Sequence, residues 1–212
     1  MTKLFSIRPG ITLRGRKFMG VRGWAGKPTH PPLTDFPVVS YILAATMDVI
    51  SYVAARGHPA GRPGGVAHDF FVAGTIVIVA GGVVSLATIT TGFWDWWKGL
   101  PRRRKGRLGR AHHTQVWRTV NWHMTVMLTV TTIVIVDIVV RLSQFGQHAT
   151  QSLTAILSVV AAALVAYGAT YGGELVFDYQ FNVQPLEGST VWDETEIDEL
   201  PGATGRPQAP KT

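Results

Sequence analysis

The chain has 212 residues, of which 46% are hydrophobic and 16% charged, with no cysteine and a net charge of +7. With a mean hydropathy of +0.18, it is too apolar and too poor in charge for an ordinary soluble domain. The missing cysteine excludes disulfides, thiolate metal sites, protein-bound iron–sulfur clusters, covalently attached haem and cysteine nucleophiles.

Residues 1–32 form a basic tail in which Lys3, Arg8, Arg14, Arg16, Lys17 and Arg22 alternate with Leu4, Phe5, Ile7, Ile11, Phe18 and Trp24. That mixture suits an anionic membrane surface or an acidic partner. Five glycines and four prolines interrupt it, so neither one continuous helix nor a cleaved signal peptide is expected. Four apolar blocks follow, at about 36–55, 70–97, 116–140 and 153–177, each long enough to cross a hydrocarbon core of about 30 Å as a helix. The connections between them carry glycine, proline and charge, where helices end. Residues 181–212 form an acidic tail, with Glu187, Asp193, Glu194, Glu196, Asp198 and Glu199 and no basic residue from Asn182 to Gly205.

Lysine and arginine number seven before the first span, two in the first connection, eight from Lys98 to Arg118, one at Arg141 and two in the last tail. By the positive-inside rule this alternation puts both termini and the Lys98 segment in the cytoplasm. Trp24, Trp94, Trp96, Trp97, Trp117 and Trp122 all fall near that interface, and Trp192 lies in the acidic tail. The expected fold class is therefore all-α: an integral membrane bundle of four transmembrane helices over residues 33–180, with N- and C-termini cytoplasmic, in a bacterial cytoplasmic membrane. The sequence pI of about 10.1 arises from residues flanking apolar segments, where lipid phosphate is the nearer anion. Nucleic-acid binding is not expected.

Small residues predict close packing of the fourth span on two sides, through Ala162, Ala166 and Thr170 and through the Gly168/Gly172 and Ala169/Gly173 pairs. Gly81 and Ser85 suggest a weaker stripe on the second. Asn121, Thr125, Thr129 and Thr132 form a polar stripe on the third, where hydroxyls ordinarily bond back to their own helix.

Ionisable groups inside a bilayer are candidates for function. His123, the one histidine inside an apolar block, lies about 10 Å past Val116; it is read either as a haem, metal or proton-relay group or as a hydrogen bond to the fourth helix. Asp48 lies about 18 Å past Phe36 and needs a partner, with Arg141 and the threonines of the third span as candidates. Asp137 precedes Arg141 by one turn, which reads as an interfacial ion pair. Asp95, Glu174 and Asp178 lie level with His30, Asp35, His112 and His113, read either as a polar site or as helix-end anchoring to the basic connection. Histidines on facing helices are what a b-type haem in a bundle needs, and His123 with His30 is the available pair. No histidines have short ligand spacing within one element, so no zinc site is expected, and no phosphate loop, dinucleotide fingerprint or hydrolase motif is present.

Four stretches carry a family resemblance: His30-Pro31-Pro32-Leu33-Thr34-Asp35-Phe36-Pro37, Asp48, Thr91-Gly92-Phe93-Trp94-Asp95-Trp96 and Tyr171-Gly172-Gly173-Glu174-Leu175-Val176. Over about Gly26 to Val183 the chain resembles the bacterial membrane proteins called domain-of-unknown-function family 2231. That resemblance implies a four-helix integral membrane protein; some members are fused to a Rieske-type domain, which hints at respiratory electron transfer. This chain has Asp35 where a second histidine commonly precedes the Phe-Pro pair.

The expected function is a non-catalytic accessory or scaffold subunit of a membrane complex, with a respiratory setting, that grips other subunits or anionic lipid. Trp192 and Ile197 are the expected partner anchors. The alternative is a small electron-transfer protein binding one b-type haem at His123 and His30, and the third is proton or solute passage along Tyr41, Asp48 and Asp137. No catalytic residue and no metal ligand is assigned.

Overall fold

The computed structural model describes Val21 and residues 28–56, 65–99, 104–105, 111–112, 114–144 and 146–181. Trp192, Ile197 and most of both tails lie outside them. Four helices follow in order: α1 (His30–Arg56), α2 (Val66–Gly99), α3 (Gln115–Ser143) and α4 (Ser152–Phe177). All four are long and apolar enough to cross a membrane. Between α2 and α3 the backbone of Arg104–Lys105 (β1) pairs antiparallel with that of Ala111–His112 (β2). The fold is an all-α bundle of four membrane helices.

The helices run a little beyond the apolar blocks, for local reasons. α1 begins at His30, because Pro31 and Pro32 occupy its first turn, where no N–H is required. Pro37 falls within the helix and cannot donate to the carbonyl of Leu33. Thr88 Oγ1 of α2 donates to that carbonyl instead, at 3.1 Å, so the proline costs no unpaired acceptor. Thr114 caps α3 by accepting from the Trp117 N–H at 3.2 Å.

Around the bundle α1 lies beside α2 and α4, and α3 beside α4 and α2, which leaves α1 and α3 on one diagonal. The middle of the bundle is apolar, with Tyr41, Ala44, Ile78, Val130, Val134, Ala161 and Val165 packed together. At the His30 end, Val120 and Leu175 are covered by Trp96, Val116, Trp117, Tyr179 and Phe181. The outward faces carry exposed Ile76, Val83, Leu86, Val139 and Ile156, as lipid contact requires.

One packing expectation changes. On α4, Gly168 is buried, and a Cβ there would lie 2.9 Å from Met127 Cε and 3.1 Å from Val126 Cγ1. Ala166 and Thr170, by contrast, are exposed while Ala162 is half-buried, so those two members of the series face outward instead of lining a second packed side. The threonine stripe of α3 is self-satisfied, Thr125, Thr129 and Thr132 each donating to the carbonyl four residues back at 2.8–2.9 Å. On α2, Gly81 and Ser85 are buried as expected.

Candidate functional site: two polar layers

The apolar middle separates two polar layers, one at each end of the bundle. The layer at the His30 end is built on two histidines from the diagonal helices α1 and α3. His30 Nδ1 lies 3.0 Å from the Thr88 carbonyl of α2, with Thr91 Oγ1 at 3.4 Å. His123 Nδ1 lies 2.9 Å from the Gly168 carbonyl of α4. A carbonyl only accepts, so each Nδ1 carries the proton and each Nε2 keeps its lone pair. The glycines of two sequence motifs are the seats of these rings. A Cβ on Gly92 would stand 2.5 Å from His30 Cε1, and one on Gly172 would stand 3.3 Å from His123 Cε1. The two imidazoles come from the two helices on one diagonal of the bundle. Their tautomers and their glycine seats were not legible in the sequence, since both depend on which helix faces which.

Asp95 and Glu174 lie nearby in sequence level but serve other segments. Asp95 is buried and accepts from the Val21 N–H at 3.2 Å. Glu174 accepts from Tyr179 Oη at 3.1 Å, where the chain turns after α4 through Gln180 at a φ of 49°. Asp95 thus holds the segment before α1 and Glu174 the turn after α4, and among the described residues neither bonds the basic connection. Trp96 Nε1 donates to Asn121 Oδ1 at 3.3 Å and joins α2 to α3 at this level.

The opposite layer centres on Arg141. Its guanidinium donates from Nε to Asp137 Oδ1 at 3.0 Å, from Nη2 to Asp137 Oδ2 at 3.1 Å, from Nη1 to Asp48 Oδ1 at 3.0 Å, and from Nη2 to Asp48 Oδ2. Asp48, Asp137 and Arg141 all have 0% exposure. The expected Asp137–Arg141 pair is present, but it is buried within the protein, and the arginine spans the diagonal to bind α1 as well. Asp48 takes no threonine of α3. Its third donor is Thr150 Oγ1, at 3.0 Å, from the segment between α3 and α4. Gly74 leaves room for it, since a Cβ there would lie 3.3 Å from Asp48 Oδ1. Ser51 completes the layer, accepting from the Thr150 N–H at 3.0 Å and donating to the Ala67 carbonyl at 2.6 Å. Thr150 and Ser51 carried no sequence signal, being small polar residues beside helix ends.

Among the described residues no three His, Asp or Glu side chains converge on a common metal position. The fold and its layers define a four-helix integral membrane protein. Residues 26–185 match the family described as a predicted membrane protein, DUF2231, and the chain belongs to that family. No curated protein and no solved structure matches the chain.

Proposed function

We propose that the chain is a small non-catalytic subunit of a membrane electron-transfer complex and that it holds one b-type haem between His30 and His123. One observation carries this reading: two imidazoles on facing helices each donate Nδ1–H to a neighbouring carbonyl and keep Nε2 unprotonated. That hydrogen bond fixes the tautomer and ring orientation of a ligating histidine and raises its basicity, so His30 and His123 are the residues that would hold a haem. Haem iron would supply reversible one-electron transfer; the chain would hold, orient and shield it. Passage of protons or solutes finds less support, because Ala44, Ile78, Val130, Val134, Ala161 and Val165 fill the middle of the bundle and Arg141 occupies both buried aspartates.

In this reading the His30 end faces the bacterial cytoplasm, by the positive-inside count, with anionic lipid at the basic segments. Partner subunits would be gripped by the acidic tail through Trp192 and Ile197. The test is the visible spectrum of the purified, dithionite-reduced protein. A reduced α-band is expected, absent in His123→Ala and shifted in His30→Ala. A colourless, iron-free protein would rule out the haem and leave a scaffold subunit.

A further inference from the structure

At the Arg141 end stand two imidazoles that the haem reading does not use. His68 lies in the first turn of α2 and His148 between α3 and α4, and their ring centroids are 5.6 Å apart with the planes at 55°. Two imidazoles bound to one ion at about 2.0–2.1 Å and a tetrahedral angle hold their centroids roughly 5 Å apart. The observed spacing is thus within a small adjustment of joint capture. Among the described residues no hydrogen bond claims a ring nitrogen of either, unlike those of His30 and His123.

Asp69 Oδ1 lies 3.7 Å from His68 Nδ1, too long for a hydrogen bond, so it places negative charge beside the ring and leaves both ring nitrogens open to a ligand. The His68 side chain is 30% exposed and His148 is exposed, so water has access to complete a coordination shell. The two backbones are also fixed relative to one another. Ser51 donates to the carbonyl of Ala67, next to His68, and accepts from the N–H of Thr150, two residues past His148. Such a frame reduces the ordering cost of closing two separate elements on one ion.

We propose that His68 and His148 form a site for a divalent transition-metal ion that prefers imidazole, Cu2+ or Zn2+, with the charge of Asp69 beside it and water filling the remaining positions. With two protein nitrogens the site is open and exchangeable, and Cu2+ binds more tightly than Zn2+. Calcium and magnesium, which take oxygen ligands, are not held. A spacing rule applied within single elements does not reveal such a pair, because one member lies in α2 and the other between α3 and α4.

The test uses the full chain in detergent, purified without a histidine tag and titrated with Cu2+ alone. One equivalent is expected, with an electron paramagnetic resonance signal showing two imidazole nitrogens. His68→Ala and His148→Ala should each reduce this to one nitrogen and weaken binding at least about 10-fold, while Asp69→Asn keeps both nitrogens. His68→Gln and His148→Gln, checked for helical circular dichroism, give the same result in folded protein. His123→Ala should leave copper binding unchanged, which separates this site from the haem reading. Copper that stays bound with the same spectrum in both alanine variants, or that does not bind the folded protein at all, overturns the proposal.

Discussion

Arg141 makes four hydrogen bonds to two carboxylates in a place with no solvent exposure. A buried ion pair adds little over an apolar replacement, but removing one partner strands the other charge at a cost of about 3–5 kcal/mol. Arg141→Gln strands two carboxylates and should lower the thermal midpoint in detergent more than any other change in this layer. Asp48→Asn should rank next, since Asp48 accepts from Arg141 and Thr150 and joins α1 to α3. Asp137→Asn should rank last, because its bonds stay within one helix and the Asp48–Arg141 pair survives it. Equal midpoints for the three variants would show that the cluster does not hold the bundle. The sequence displayed Asp137 and Arg141 one turn apart and Asp48 at a depth that demanded a partner. Their shared burial was hidden, because hydropathy reports depth along a helix and says nothing of rotation about its axis.

The same blindness to rotation governs whole helices. α4 is apolar nearly all round, with a mean hydropathy of 2.0 in its spanning window, so its pattern sets no preferred inner face. Several series of small residues compete there, and the partner decides between them. Gly168 meets Val126 and Met127, and Gly172 meets the His123 ring, whereas Ala166 faces outward. Gly168→Leu must push apart atoms that already leave no room for a Cβ, and overpacking of this kind costs about 1–3 kcal/mol or more. Ala166→Leu adds apolar surface where lipid tails already lie. Thermal unfolding should therefore show a clear loss for Gly168→Leu and little change for Ala166→Leu. A loss in Ala166→Leu as large as in Gly168→Leu would mean that α4 is turned the other way. The existence, length and order of the four helices were legible, since twenty or so apolar residues have few other options. The glycines of the Thr91-Gly92 and Tyr171-Gly172 motifs were visible too, but their purpose needed the facing histidines.

For the molecule as a whole, the two polar layers acquire opposite surroundings only through orientation. The positive-inside count predicts that the Arg141 end faces outward, and the native absence of cysteine makes single-cysteine labelling clean. Gly146 is exposed, and a Cβ there meets nothing within 4 Å. Gly146→Cys should react with an impermeant thiol reagent added to intact cells, and Gly106→Cys should react only after lysis. The reverse pattern would invert the bundle, turn the histidine layer outward, and put the proposed copper site inside. Which helices sit on the diagonal was not legible from hydropathy, because neighbours in sequence give adjacency but not the contact between α1 and α3 that Arg141 makes.

That contact also sets a timetable for biogenesis. Asp48 and Arg141 are 93 residues apart, and a ribosome adding about 5–20 residues per second takes roughly 5–20 s to travel between them. Throughout that interval Asp48 exists without the cation it pairs with in the folded chain. An unpartnered carboxylate in a spanning helix is costly, so a chain truncated before Arg141 is expected to be held in the membrane less well than the full chain.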